Sequence, residues 1–288
     1  HSHPRWLVER WVREWGVDDT QALLEADNLR PELYLRPLRV GVGEARGRLD
    51  AAGIGSEEVP FSPDSLRVLP PAGAVEALGA VPAVVQDPAA ALVVRYAAVP
   101  EGALVLDLAA APGGKALGMA DRARFVAAAD VSFGRLRRVR ENAARVGDPL
   151  GCVVADALFP PFHPGTAGLV LLDAPCTGTG TFRRHPDGRW RVRAEDLAAL
   201  VELQREMLES AAALVRPGGW LVYSTCSLEP EENGGMVDAF LGTHPEFVLD
   251  PAGGAVDDGL LDARGRLVVL PQRTGVDGAF AARMRRRP

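Results

Sequence analysis

The segment VLDLAAAPGGK, Val105 to Lys115, holds an apolar run closed by Asp107, then small residues, then Pro-Gly-Gly and a lysine. A buried strand leading through a turn poor in Cβ atoms into a helix brings backbone N–H groups close to a ligand. A phosphate-cradling P-loop would need Gly at position 109 and Ser or Thr at 116, and both are Ala. The G-x-G-x-x-G of nicotinamide enzymes is absent too. The turn alone is compatible with an ordinary strand-to-helix connection, so its meaning has to come from the rest of the chain.

Outward from this turn the texture alternates. A helix is expected over Ala89–Ala98 and strands over Ala103–Leu108, Phe125–Ala129, Cys152–Ala155, Gly168–Leu172 and Trp220–Ser224. Arg-rich Leu136–Val146 and Asp196–Val215 read as helices, and Phe280–Met284 as a closing antiparallel strand. Strands alternating with helices predict an α/β fold, a doubly wound, Rossmann-like and mainly parallel sheet, over residues 85–288. Before it, residues 1–84 form a small α+β lead-in. It has helices over 5–15 and on to Ala26, split at Gly16, a strand at Leu33–Arg36, a helix over Glu44–Ala52 and a strand at Leu66–Leu69.

Four strands in succession end in an acid: Asp107, Asp130, Asp156 and Asp173. A single such Asp is usually a helix cap, whereas four in series fit a nucleoside held outside the carboxyl ends of the sheet. Asp130 follows Asp107 at close to the ~20-residue spacing at which an acid accepts ribose hydroxyls, and Asp156 is placed to accept from an adenine amino group. Cys176, in DAPC, and Cys226, in STCS, also lie just past strand ends, which favours chemistry; Cys152 sits inside its strand and reads as an inert small hydrophobe.

Composition sets the limits. The 288 residues are 47% hydrophobic and 24% charged, as in globular chains. No apolar run approaches the ~18–20 residues of a membrane span. Neither a signal sequence nor an initiator Met opens the chain, which reads as a piece of a longer cytoplasmic protein. Three cysteines without metal spacing point to reduced thiols and no metal. Net charge is −6, which taken alone argues against nucleic acid. Of the 32 basic residues one is Lys115, in the turn, and the rest are Arg. His1 and His3 are read as terminal residues, and Arg285–Arg287 as a frayed tail.

Taken together, VQD (Val85–Asp87), DLAAAPGGK (Asp107–Lys115), DAPCTGTGTFRRHPD (Asp173–Asp187) and YSTCSLEPEEN (Tyr223–Asn233) resemble the motifs of the NSUN/RsmB-like RNA cytosine-5 methyltransferases. The match runs in order from about residue 4 to the C-terminus. RRHPD and the opening HPRWLVERW resemble the bacterial RsmB branch, which acts on small-subunit (16S) ribosomal RNA. Ala109 stands where the family commonly has Cys, and the helical NusB-like domain that usually precedes the core is not in this sequence. The resemblance implies S-adenosylmethionine as methyl donor. Ala109, Ala110, Ala111, Pro112, Gly113, Gly114 and Lys115 would wrap its methionine part, Asp130 its ribose and Asp156 its adenine, with Asp173 between cofactor and base. It also implies Cys226 as nucleophile, Cys176 in the release of product and Asp173 assisting at the ring N3. The partner would be ribosomal RNA, naked or in an early assembly intermediate, held in part by the lead-in domain. Arg183, Arg184 and Arg189, with Arg191, Arg193, Trp190 and His185 among them, are the expected RNA contacts. Two alternatives stand beside this reading: a DNA cytosine-5 methyltransferase attacking through Cys176, and a non-catalytic ribosome-assembly factor that binds RNA.

Overall fold

The computed structural model describes residues 1–148 and 150–288. The chain opens with α1 (Arg5–Ala26), β1 (Leu33–Pro37), α2 (Val42–Ala51), the hairpin β2 (Ser56–Val59) and β3 (Ser62–Val68), α3 (Ala74–Ala80) and β4 (Ala83–Val85). These four strands form an antiparallel sheet in the order β2-β3-β1-β4. One face of it is sealed by Leu35, Leu49, Leu66, Val68 and Ala77. α1 is broken at Gly16, whose φ of 83° and ψ of 179° lie where only glycine rests without strain. The two helices expected on either side of Gly16 are therefore present, joined end to end.

The larger unit follows as α4 (Pro88–Ala97), β5 (Leu104–Asp107), α5 (Gly114–Ala120), β6 (Phe125–Asp130), α6 (Phe133–Val146), β7 (Gly151–Val154) and β8 (Ala167–Asp173). It continues with α7 (Gly188–Arg191), α8 (Ala194–Leu214), β9 (Val215–Thr225), α9 (Gly234–Thr243), β10 (Phe247–Leu249), β11 (Leu267–Val269), α10 (Pro271–Thr274) and β12 (Ala279–Arg286). The strands form one eight-stranded sheet in the order β10-β12-β9-β8-β5-β6-β7, with β11 also paired to β12. From β7 to β9 every pairing is parallel, and β12 runs antiparallel to β9. The alternating α/β pattern thus folds as the doubly wound sheet it predicts.

β8 shows why an uninterrupted apolar run is needed at the centre. Leu169 and Leu171 enter one core and Val170 and Leu172 the other, so both faces are covered by helices. The order of strands reverses between β5 and β8, which opens a crevice above their carboxyl ends. α4 starts there: Asp87 accepts the Ala89 N–H at 2.9 Å and Pro88 occupies the first helical position. Leu92 and Tyr96 of α4 share a core with Tyr34 and Val59 of the smaller sheet, so the two sheets are packed through that helix.

The closing strand expected at Phe280–Met284 is β12, antiparallel to β9, with β10 paired outside it. Two expectations need correction. Arg285 and Arg286 are part of β12, the Arg286 guanidinium donates to Val215 O at 2.6 Å and the Arg287 N–H to Glu246 O at 2.7 Å, so this end is tied down rather than frayed. His3 is no loose terminus either: its buried ring lies 3.1 Å from the Asp27 carboxylate and packs against Trp11 and Phe182. Among the described residues no helix is long and apolar enough to cross a membrane.

Candidate active site

The strand-end acids do not all meet in one place. Asp107 and Asp173, at the ends of the neighbouring strands β5 and β8, line a cleft of about 380 Å³ with Ala109–Pro112, Gly114 and Lys115. Gln86, Asp87, Arg184 and Asp277 close its other side. The turn fits this position through its glycines. Gly113 has φ +104°, and a Cβ on Gly114 would meet Gln86 Nε2 at 2.8 Å.

Asp107 is 1% exposed, and its Oδ2 has no hydrogen-bond partner. Burial and then the Asp173 charge push its carboxyl up to about 7, against the pull of Lys115 and the Ala109 N–H. An orphaned buried acceptor on a cleft wall is where a ligand's donor belongs. Lys115 Nζ lies 2.7 Å from Asp173 Oδ2, and Ser224 Oγ donates to Asp173 Oδ1 at 2.7 Å. Burial works against the Lys115 charge, but Asp173 first, then Cys226 and Asp107, outweigh it and raise its pKa.

Asp130 and Asp156 are not among the residues lining this cleft. Asp130 is 3% exposed and accepts the Ser132 N–H at 2.9 Å and the Ala111 N–H at 3.3 Å, with Arg135 2.9 Å away. It thereby fastens the end of β6 to the glycine turn. Asp156, past the end of β7, is exposed and accepts the Leu158 N–H at 2.9 Å.

The two thiols do meet. Cys176 Sγ and Cys226 Sγ are 3.5 Å apart, past the ends of the paired strands β8 and β9. Cys152 lies in β7, away from both. Gly180 N–H donates to Cys226 O at 2.9 Å, and Gly278 N–H to Gly180 O at 2.7 Å. A Cβ on Gly180 would stand 2.7 Å from Gly278 Cα and 2.8 Å from Cys226 O, so this crossing admits no side chain.

Sequence reasoning gave no role to the acids and amides that hold the cysteine loops. Glu232, fully buried, accepts the Thr177 N–H at 2.9 Å, the Thr177 hydroxyl at 2.5 Å and Gln204 Nε2 at 2.8 Å. Gln204 Nε2 also donates to Pro175 O, and the Tyr223 hydroxyl donates to Glu232 O at 2.7 Å. Asn233 accepts from Thr225 Oγ1 and donates to Ser227 O on either side of Cys226. The signal was present in PEEN, which closes YSTCSLEPEEN, but its partners are far off in the chain.

Arg183, Arg184 and Arg189, the expected RNA contacts, direct their guanidinium groups to partners within the protein. Arg184 bridges Asp87 at 2.6 Å and Asp277 at 2.8 Å. Burial and the Asp87 charge push the Asp277 carboxyl up to about 6, with both arginines opposing. Arg183 donates to Gly275 O at 2.5 Å. Arg189, 3% exposed, donates to Asn28 Oδ1 at 2.8 Å and to Asp27 O at 3.0 Å. All three turn inward because buried carboxylates and carbonyls need donors. Trp190, 62% exposed, with His185, Arg191 and Arg193, remains facing solvent.

The family model described as 16S rRNA methyltransferase RsmB/F matches residues 96–285, and that described as the RsmF/B-like ferredoxin-like domain matches residues 3–75. Ribosomal RNA small subunit methyltransferase B of Cronobacter sakazakii is 37% identical over 298 residues, covering 98% of this chain and 66% of its own. The present chain therefore spans just under two thirds of that relative. The crystal structure of PH0851 superposes with a TM-score of 0.88 at 35% identity, over 98% of this chain and 66% of that one. A methyltransferase homolog from Pyrococcus horikoshii gives a TM-score of 0.81 at 27% identity, over 99% and 96% of the two chains. With both units of the chain matched in order, it belongs to the RsmB/F family of 16S rRNA methyltransferases.

Proposed function

We propose that the chain methylates carbon 5 of a cytosine in small-subunit ribosomal RNA, using S-adenosylmethionine and a transient bond between Cys226 and the base. The observation that carries this reading is the pair of thiols 3.5 Å apart next to the Lys115–Asp173 ion pair. Ribosomal RNA enters through the family and through the names of the relatives, and a cytoplasmic setting keeps both thiols reduced.

The cofactor fits the cleft on its own chemistry. Asp107 Oδ2 lacks a donor, which the ammonium of a methionine part would supply, and Ala109–Lys115 offer a wall free of bulky side chains. Asp130 would hold the ribose and Asp156 the adenine amino group. Bound there, S-adenosylmethionine supplies an electrophilic methyl group to carbon 5.

The chain's residues make carbon 5 able to accept it. Cys226 Sγ, as thiolate, bonds to carbon 6 and the ring's π pair moves to carbon 5. The Lys115–Asp173 pair hydrogen-bonds the N3 edge, which favours that addition. After methylation Cys176 takes the proton from carbon 5, the double bond re-forms and the Cys226–carbon 6 bond breaks. The base must be out of its stack for a thiol to reach its face. Residues 1–84 would hold the RNA and residues 85–288 carry out the transfer, with Trp190, His185, Arg191 and Arg193 as outward-facing contacts.

Incubation with unmethylated small-subunit ribosomal RNA and methyl-labelled cofactor, followed by digestion to nucleosides, tests the reading. Label in 5-methylcytidine is expected; label in any other nucleoside, or none with both thiols reduced, overturns it.

A further inference from the structure

Cys176 and Cys226 are neighbours, yet the groups around them carry opposite charge. Cys176 is framed by an acid. Glu232 binds Thr177 through two bonds, and Gln204, which holds Glu232, also holds Pro175 O, so both neighbours of Cys176 are fixed to one carboxylate. Around this carboxylate the structure places the Thr177 N–H, the Thr177 hydroxyl and the Gln204 amide, an arrangement of donors that suits a negative charge. Oε1 and Oε2 meet only donors, and Ser227 Oγ, 3.0 Å from Thr177 Oγ1, can extend the same chain of donors. Cys226, in contrast, lies near enough to Lys115 for a negative charge on its sulfur to favour the ammonium.

We propose that Glu232 is a positioning residue whose buried charge keeps Cys176 a neutral thiol, so that of the two adjacent thiols Cys226 is the one that ionises. The hydrogen bond to Cys226, burial and the charges of Cys226 and Glu232 all raise Cys176 above an ordinary thiol, in line with that geometry. The other charged or titratable groups near Cys176 are the Tyr223 hydroxyl, the Lys115–Asp173 pair, and Arg191 and Asp196 on the wall of the same open cavity of about 510 Å³.

An order of events follows. While Cys226 is a free thiolate, Cys176 keeps its proton. Once Cys226 Sγ is bonded to carbon 6, its charge and its hydrogen bond no longer add to the restraint of Glu232, and Cys176 holds its proton less tightly. The Cys176 proton then leaves to water, and the new thiolate takes the proton from carbon 5. Cys226 leaves as thiolate and Cys176 is again a thiol, so one proton is released per methyl transferred.

This inference rests on the roles given to the two thiols above, but its test needs neither RNA nor cofactor, so the two can fail separately. The rate of iodoacetamide alkylation of Cys176 is followed against pH by peptide mass spectrometry, in Cys226→Ala protein so that one thiol cannot shield the other. Only the thiolate reacts. Glu232→Gln keeps the shape, since its amide can donate to Thr177 Oγ1, and should speed alkylation at pH 8 about tenfold by lowering the midpoint by about one unit. Thr177→Val removes a donor from the carboxylate and leaves it less shielded, so Cys176 should react more slowly. A role limited to packing would loosen the loop and speed the reaction in both variants. Equal rates in Glu232→Gln and its parent, or faster alkylation in Thr177→Val, overturn the proposal.

Discussion

Replacing Arg189 by Ala separates an internal strut from an RNA contact. Its guanidinium is 3% exposed and ties α7 to the segment after α1, through Asn28 Oδ1 at 2.8 Å, Asp27 O at 3.0 Å and Phe182 O at 3.4 Å. Hydrogen bonds from a charged donor contribute ~1.5–3 kcal/mol each, less where the acceptors left behind are neutral and can recruit water. The variant should lose about 2–4 kcal/mol. For a chain of this size each kcal/mol moves Tm by roughly 2–4 °C, so Tm should fall by roughly 4–16 °C. Arg189→Lys keeps the charge but not the planar fork, and should lose most of the same stability. The assay is thermal unfolding of both variants, with RNA affinity measured across a salt series. If Arg189 is a strut, replacing it lowers Tm and leaves the salt slope of the folded protein unchanged. An unchanged Tm with a slope reduced by about one, restored by Lys, would show a phosphate contact and refute the reasoning.

Gly180→Ala should cost ~1–3 kcal/mol, because its Cβ would press on Gly278 Cα and Cys226 O, both backbone. Gly79→Ala, with nothing within 4 Å, should not destabilise, and chemical denaturation compares the two. Asp107 keeps its proton up to about 7 in the folded chain and to only ~3.9 when unfolded, so its contribution to stability falls as pH rises from about 4 to about 7. Asp107→Asn should therefore raise Tm over the parent more at pH 8 than at pH 5, in the absence of cofactor. An equal difference at both values would mean that Asp107 is ionised throughout. Asp130→Ala should weaken S-adenosylmethionine binding roughly tenfold to hundredfold in calorimetry, the loss of ~1.5–3 kcal/mol; unchanged affinity would remove Asp130 from the ribose.

The central sheet was legible because its strands obey one rule, an apolar run closed by an acid, and β5, β6 and β8 end on Asp107, Asp130 and Asp173 as written. The short strands β2, β4, β10 and β11 were not, since three or four residues carry too little periodicity and exist through their neighbours' pairing. The thiols were legible as a pair because strand ends gather on one side of a doubly wound sheet. Their support was not: Glu232 finds Thr177 and Gln204 only through the contact of α8 with the two loops. The internal partners of the arginines were hidden for a related reason. RRHPD shows the charge of its side chains, but Asp87, Asp277 and the Asp27 carbonyl, which draw Arg184 and Arg189 inward, come from other parts of the chain.

Denaturing gel electrophoresis of the protein with labelled small-subunit ribosomal RNA and S-adenosylmethionine, comparing Cys226→Ala with Cys176→Ala, tests the division of labour between the thiols. Without Cys176 the addition and the methyl transfer should proceed and the elimination stall, so a protein–RNA adduct that survives denaturation should accumulate. Without Cys226 no adduct should form and no methyl should reach the RNA. An adduct in the Cys226 variant and none in the Cys176 variant would reverse the roles and contradict the account.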